Sequence, residues 1–194
     1  MRKFYSGIPR FVHLDFSIAV RVGLFQLCRM ERGNQHRRAR QRQKKIISGG
    51  QTGVDRAALD FAIRHGYEHG GWCSHGRRAE DGVIPPIYRL RETDSADYDE
   101  RTEKNVVDSD ATLIMAREAE LSGGTAFTKI CAEQQGRPVL VVYESDGVPQ
   151  STAALSKFLK RNNVRTLNVA GPRESQASGI GKFVEELLEA AVET

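Results

Sequence analysis

The stretch Lys45-Ile46-Ile47-Ser48-Gly49-Gly50-Gln51-Thr52-Gly53-Val54-Asp55-Arg56 constrains this chain more than any other. A short apolar run stops at a glycine-rich turn, and the turn opens directly into Val54, Ala57, Ala58, Phe61 and Ala62 at helical spacing. A junction of this kind suits an anion. Glycine lets the backbone turn tightly and approach a ligand. The unpaired N–H groups of the helix start, with the helix dipole behind them, favour negative charge. Gly-Gly-x-x-Gly alone is a weak signal, but Leu121-Ser122-Gly123-Gly124-Thr125 repeats the arrangement further on.

The rest of the chain follows the same alternation. Residues 46–48 read as a strand, and the helix after them ends at His65-Gly66, where glycine suits a left-handed cap. A short strand is expected within 67–73, then a long polar loop over 74–86, then a third strand over 87–92. A helix over 97–107, a buried strand over 110–116, a helix from the second glycine turn to Gly136 and a strand over 138–143 come next. Helix 152–160, strand 164–169 and a terminal helix with Ile180, Phe183, Val184, Leu187 and Leu188 on one stripe complete the pattern. Apolar strands joined by helical crossovers imply an α/β, Rossmann-like three-layer fold: a mainly parallel sheet covered by helices on both faces. Such sheets bind ligands at the carboxyl ends of their strands. Both glycine turns and the segment Gly171–Ser175 fall at that edge.

Charge divides the chain in two. Residues 1–45 hold 12 lysines and arginines against 2 acids, while the remainder holds 17 against 23. The basic balance therefore belongs to an N-terminal extension, 1–44, and residues 45–194 form the ligand-binding domain. The composition of that domain gives no support for a nucleic-acid-binding face, so a nucleic-acid partner is not expected. The apolar run from Phe16 to Cys28 is interrupted by Arg21 and is too short to span a bilayer. Three scattered cysteines, Cys28, Cys73 and Cys131, argue for a reducing, cytoplasmic setting.

Candidate binding residues follow from the loops. In the first turn these are Ser48, Gly49, Gly50, Gln51, Thr52 and Gly53, with Arg56 behind them. Asp55 would compete with an anion, so it is free to read a ribose, pterin or purine donor or to complement the dipole. In the second turn they are Ser122, Gly123, Gly124, Thr125 and Thr128, where helix capping is the simpler alternative. Arg77, Arg78, Glu80 and Asp81 mix both signs in one loop; arginine forks onto phosphate, but a surface salt-bridge loop has the same composition. Arg101, Thr102 and Asn105 share a helix face, and Arg173 follows the last strand. His69, Cys73 and His75 match no metal spacing. No Ser-His-Asp or Cys-His arrangement is present, and the P-loop ending in Gly-Lys-Ser/Thr is absent. No catalytic residue is assigned.

Taken together, residues 48–60, 76–82, 101–110, 122–125 and 168–175 resemble the "putative molybdenum carrier" family, part of the wider SLOG group of Rossmann-like proteins, related to molybdenum cofactor carrier proteins and the lysine-decarboxylase-like fold. The resemblance covers about 45–192. It implies a Rossmann-like sheet, a homo-oligomer and a phosphorylated small-molecule ligand, either molybdenum cofactor (molybdopterin) or a nucleotide derivative, carried rather than converted. Some relatives are phosphoribohydrolases, so a nucleotide N-glycosidase is the alternative. They carry a glutamate after Pro-Gly-Gly-x-Gly-Thr. Here Thr128 stands in its place and has no carboxylate to act with, which leaves Glu80, Asp81 or Asp55 as substitutes.

Overall fold

The computed structural model describes residues 45–117 and 119–193. The expected extension, 1–44, lies outside them. β1 (Lys45–Ile47) leads through the first glycine turn into α1 (Val54–His65), which turns Val54, Ala58, Leu59 and Phe61 inward. The helix ends at Gly66 in left-handed backbone, φ 70° and ψ 25°, as its sequence requires. β2 (Glu68–Gly70) then pairs parallel to β1.

The strand expected within 67–73 is broken at Gly71, where φ is 123°. A Cβ there would stand 2.2 Å from the Ser48 carbonyl oxygen, so only glycine lets the chain cross β1 this closely. Beyond it, β3 (Trp72–Cys73) leaves the central sheet and pairs with β6 (Arg91–Glu92) in a small ribbon. The third strand expected over 87–92 is thus shorter and joins a different sheet. The polar loop between them contains a hairpin, β4 (Arg78–Ala79) against β5 (Gly82–Val83).

α2 (Tyr98–Val107) is capped by Asp97, whose carboxylate accepts from the Asp99 amide at 3.1 Å. β7 (Ala111–Ala116) is buried along its length. α3 (Gly123–Gln134), β8 (Val139–Tyr143), α4 (Val148–Arg161), β9 (Thr166–Ala170) and α5 (Ile180–Glu193) follow. α4 begins at Val148 rather than Thr152 because Pro149 sits in its first turn, where an absent N–H breaks no bond.

The central sheet has five parallel strands in the order β2-β1-β9-β7-β8. One face is covered by α1, α4 and α5, whose Phe61, Leu155 and Leu187 join Leu113 and Met115 in the main core. On the other face α2 packs with α3 around Val106, Cys131 and Ala132. The result is a three-layer, Rossmann-like α/β fold. A separate cluster, Leu59, Cys73, Ile84, Tyr88 and Leu90, roots the loop after β3. The chain leaves β1 toward one face and β7 toward the other, with β9 between them, so the ends of these three strands mark a switch point.

Candidate ligand-binding crevice

A crevice of about 190 Å³ opens at that switch point. Gly49, Gln51 and Asp55 line it from the first turn, Gly124, Thr125 and Thr128 from α3, Arg101 and Asn105 from α2, and Gly171 and Arg173 from the end of β9. Its size admits a ring or a phosphate group, so a larger ligand must project from its mouth.

The two glycine turns present different surfaces. In the first, most donors already have partners. The Ser48 hydroxyl is buried and donates to the Val169 carbonyl at 2.8 Å. The Thr52 hydroxyl donates to Glu80 and accepts from the Glu174 amide. The Gln51 amide donates to Asp55 at 3.3 Å, the Thr52 amide to the Gln51 side chain at 3.0 Å, and the Val54 amide to the Pro172 carbonyl at 3.3 Å. The sheet and the neighbouring loops thus engage the hydroxyls of both Ser48 and Thr52. In the second turn, Ser122 takes the cap position of α3 but its side chain makes no cap hydrogen bond. The first-turn amides of α3 are left open, and a Cβ on Gly123 or Gly124 would meet nothing within 4 Å.

Charge at the crevice is mixed. Arg101 Nη1 lies 3.0 Å from Asp55 Oδ2, with the two side chains 17% and 6% exposed. Its guanidinium rests over Gly49, where a Cβ would fall 1.2 Å from Nη1. Asp55 therefore pairs with Arg101 while it lines the crevice. Glu80 ties three loops together. It accepts from the Thr52 hydroxyl and from the Ser175 amide and hydroxyl, and it lies 3.9 Å from Arg173. Burial pushes its carboxyl up, but these hydrogen bonds and the Arg173 charge outweigh that and hold it below the ordinary value.

A strand order with the last strand between β1 and β7 separates this sheet from a simple sequential one. The model of the circularly permutated YpsA SLOG family matches residues 46–192. The chain belongs to this family. A crystal structure of a protein named "Putative molybdenum carrier protein", from Syntrophus aciditrophicus SB, is 44% identical, with a TM-score of 0.75 over 76% of this chain and 94% of that one. No curated protein matches.

Within this SLOG domain the remaining candidates divide into crevice and scaffold. Arg77 holds the scaffold: its guanidinium donates to the carbonyls of Ile84, Leu90, Pro85 and Tyr88, and it is not among the residues lining the crevice. Arg56 grips Asp81 through both terminal nitrogens and also donates to the Gly50 carbonyl. Arg78 is exposed on the hairpin, away from the crevice lining. Gly53 serves close packing, since a Cβ would meet the Pro172 carbonyl oxygen at 2.6 Å. Asn105 lines the crevice while holding the Trp72 backbone at both its amide and its carbonyl. Thr128 donates to the Gly124 carbonyl at 2.8 Å.

The acids that could have replaced the missing glutamate are all engaged: Asp55 by Arg101, Asp81 by Arg56 and Glu80 by Thr52 and Ser175. Burial raises the thiols of Cys73 and Cys131, which keeps both protonated and poor nucleophiles. Among the described residues no group of three or more His, Cys, Asp or Glu could hold a metal ion. None of the helices among them is long and apolar enough to cross a membrane.

Sequence reasoning missed Tyr98, Asp99, Asn168 and Gln176, which also line the crevice. A signal existed for Tyr98: it lies one helical turn before Arg101 and Thr102, on the face that continues to Asn105. Asn168 gave none, because a polar residue inside an apolar strand does not reveal which strand end it faces.

Proposed function

We propose that this protein binds and carries a phosphate-bearing small molecule, a pterin or nucleotide derivative such as the molybdenum cofactor, in the crevice between β1, β9 and β7. The observation that carries this reading is the open, uncapped start of α3 at the crevice wall. Amides without partners and the positive end of the helix dipole together suit a phosphate. Arg173 adds charge from the end of β9, and the name of the Syntrophus relative points the same way. With its candidate acids engaged, the crevice supports carrying over N-glycoside cleavage. The reading makes the protein a cytoplasmic homo-oligomer, in keeping with its scattered cysteines and its family resemblance.

The test is mass spectrometry of small molecules released from natively purified protein, beside Gly124→Asp. That substitution meets no atoms and places a carboxylate where it complements the helix dipole, so it blocks an anion without harming the fold. A pterin phosphate or nucleotide should accompany the wild type and be absent from the variant, with the melting temperature preserved. Wild-type protein that emerges empty and binds neither ligand class in titration would refute the reading.

A further inference from the structure

We infer that Gln51 is the specificity-determining donor of this crevice, reading a ring carbonyl on a planar heterocycle whose phosphate rests on the start of α3. This inference rests on the phosphate-binding reading above and adds which end of the ligand goes where. Gln51 lines the crevice and is only 7% exposed. Its Oε1 accepts from the Thr52 amide at 3.0 Å and the Glu80 amide at 2.9 Å. Both partners are donors, so the orientation of the side-chain amide is fixed and its nitrogen faces the other way. That nitrogen, Nε2, is buried and has no hydrogen-bond partner. A buried donor without a partner is unfavourable, and a ligand acceptor would relieve it.

The surroundings select a neutral acceptor. Asp55 lies beside Gln51, bonded to its main-chain amide, and is paired with Arg101, so the charges on this side cancel. The nearby amides of Thr52 and Val54 already have acceptors. With Arg101 already paired to Asp55, an anion gains more at α3, where the helix start is uncapped. A ring carbonyl suits the vacant donor. The Tyr98 ring, 38% exposed and part of the same lining, offers a flat wall for the heterocycle. Pterins and oxopurines carry such a carbonyl. Adenine puts an amino group in its place and would set donor against donor.

The test titrates the full chain with inosine monophosphate, adenosine monophosphate and inorganic phosphate. Wild type should bind the inosine nucleotide at least about tenfold more tightly than the adenosine one, since a site built for one hydrogen bond rejects the ligand lacking it. Gln51→Glu keeps an oxygen for the two backbone amides but turns the donor into an acceptor, so the preference should invert. Gln51→Met removes the donor without adding charge and should level the two affinities. Melting curves confirm that each variant folds, and the wild-type ratio decides even if one does not. Equal wild-type affinities, or a preference that survives both substitutions, would overturn the inference. If those equal affinities both vanish in Gly124→Asp, the phosphate reading stands without Gln51. If inorganic phosphate binds and neither nucleotide does, only the Gln51 assignment falls. If none of the three binds, the Gln51 assignment falls, and the phosphate reading falls with it when the purified protein also emerges empty and takes up no pterin phosphate.

Discussion

Replacing Arg101 by methionine should destabilise the fold more than replacing its partner Asp55 by asparagine. The pair is close and largely out of solvent, at 3.0 Å with Asp55 6% and Arg101 17% exposed. Removing one partner of a buried pair costs roughly 3–5 kcal/mol because the other charge is left uncompensated. In Arg101→Met the Asp55 carboxylate keeps only the Gln51 amide at 3.3 Å, which puts the loss near the low end, about 3 kcal/mol. In Asp55→Asn the orphan is a long, flexible side chain that lines the crevice, and asparagine still accepts from Gln51. The loss there is that of one hydrogen bond, about 1 kcal/mol. For a domain of this size the melting temperature should fall by roughly 10 °C in the first case and 3 °C in the second. The double variant should sit near Asp55→Asn rather than at the sum, since both changes remove one interaction. Urea unfolding followed by the fluorescence of Trp72, the chain's one tryptophan, measures all three. A loss below about 1 kcal/mol for Arg101→Met, or additive losses in the double variant, would refute the reasoning.

Three further outcomes follow from the packing around the crevice. Tyr88 donates to Asp60 at 2.7 Å, and burial followed by that acid pushes its phenol from 10.0 to about 12. A raised value favours the neutral form in the fold, so its contribution is present below pH 10.0 and is lost as pH rises toward 12. At 1.36 kcal/mol per unit, wild type should lose about 2–3 kcal/mol across that window. Tyr88→Phe should not lose it, as urea titrations at stepped pH will show. Gly171→Ala would place a Cβ 2.4 Å from the Met115 carbonyl oxygen and 2.6 Å from Val54. Overpacking of this kind costs about 1–3 kcal/mol, read as a lower urea midpoint. Glu80→Gln should loosen the hairpin over residues 78–83 and speed its limited proteolysis at neutral pH. Because the Glu80 carboxyl lies below its ordinary 4.5, the latch is intact above that value. The wild-type protection it confers should fade only as pH drops through the lowered one.

Much of this architecture was legible in the chain. The alternation of apolar runs with helical stripes carried the parallel sheet, and Gly66 marked the end of α1. The strand order was not legible, because the pattern 164–169 states only that a buried strand exists and not that β9 wedges between β1 and β7. The division at Gly71 was hidden for a similar reason. Residues 67–73 look continuous, and the break comes from β1, whose Ser48 carbonyl lies too near for any side chain. At the crevice, residue types pointed to loops that line it, but the side-chain pairings were beyond reach. Arg77 and Arg78 are indistinguishable as neighbours in a loop. One clamps four carbonyls and the other faces solvent, and only the path of residues 84–90 decides between them.

The two glycine turns show how one motif comes to do two jobs. Each ends a strand and opens a helix, and by composition each could cradle an anion. The first is overlaid by two other loops. Pro172 and Glu174 approach Gly53 so closely that a Cβ would meet their backbone at 2.6 and 2.7 Å, while Glu80 and Gln51 engage the Thr52 hydroxyl and amide. Its glycines serve the approach of protein to protein. The second turn has no such covering: its cap side chain is idle, and Gly123 and Gly124 face open space. Its glycines leave the start of α3 open, which is the opening the proposed phosphate would use. That difference is why the proposal puts the phosphate at α3 and the ring at Gln51, so that two similar motifs would hold opposite ends of one ligand.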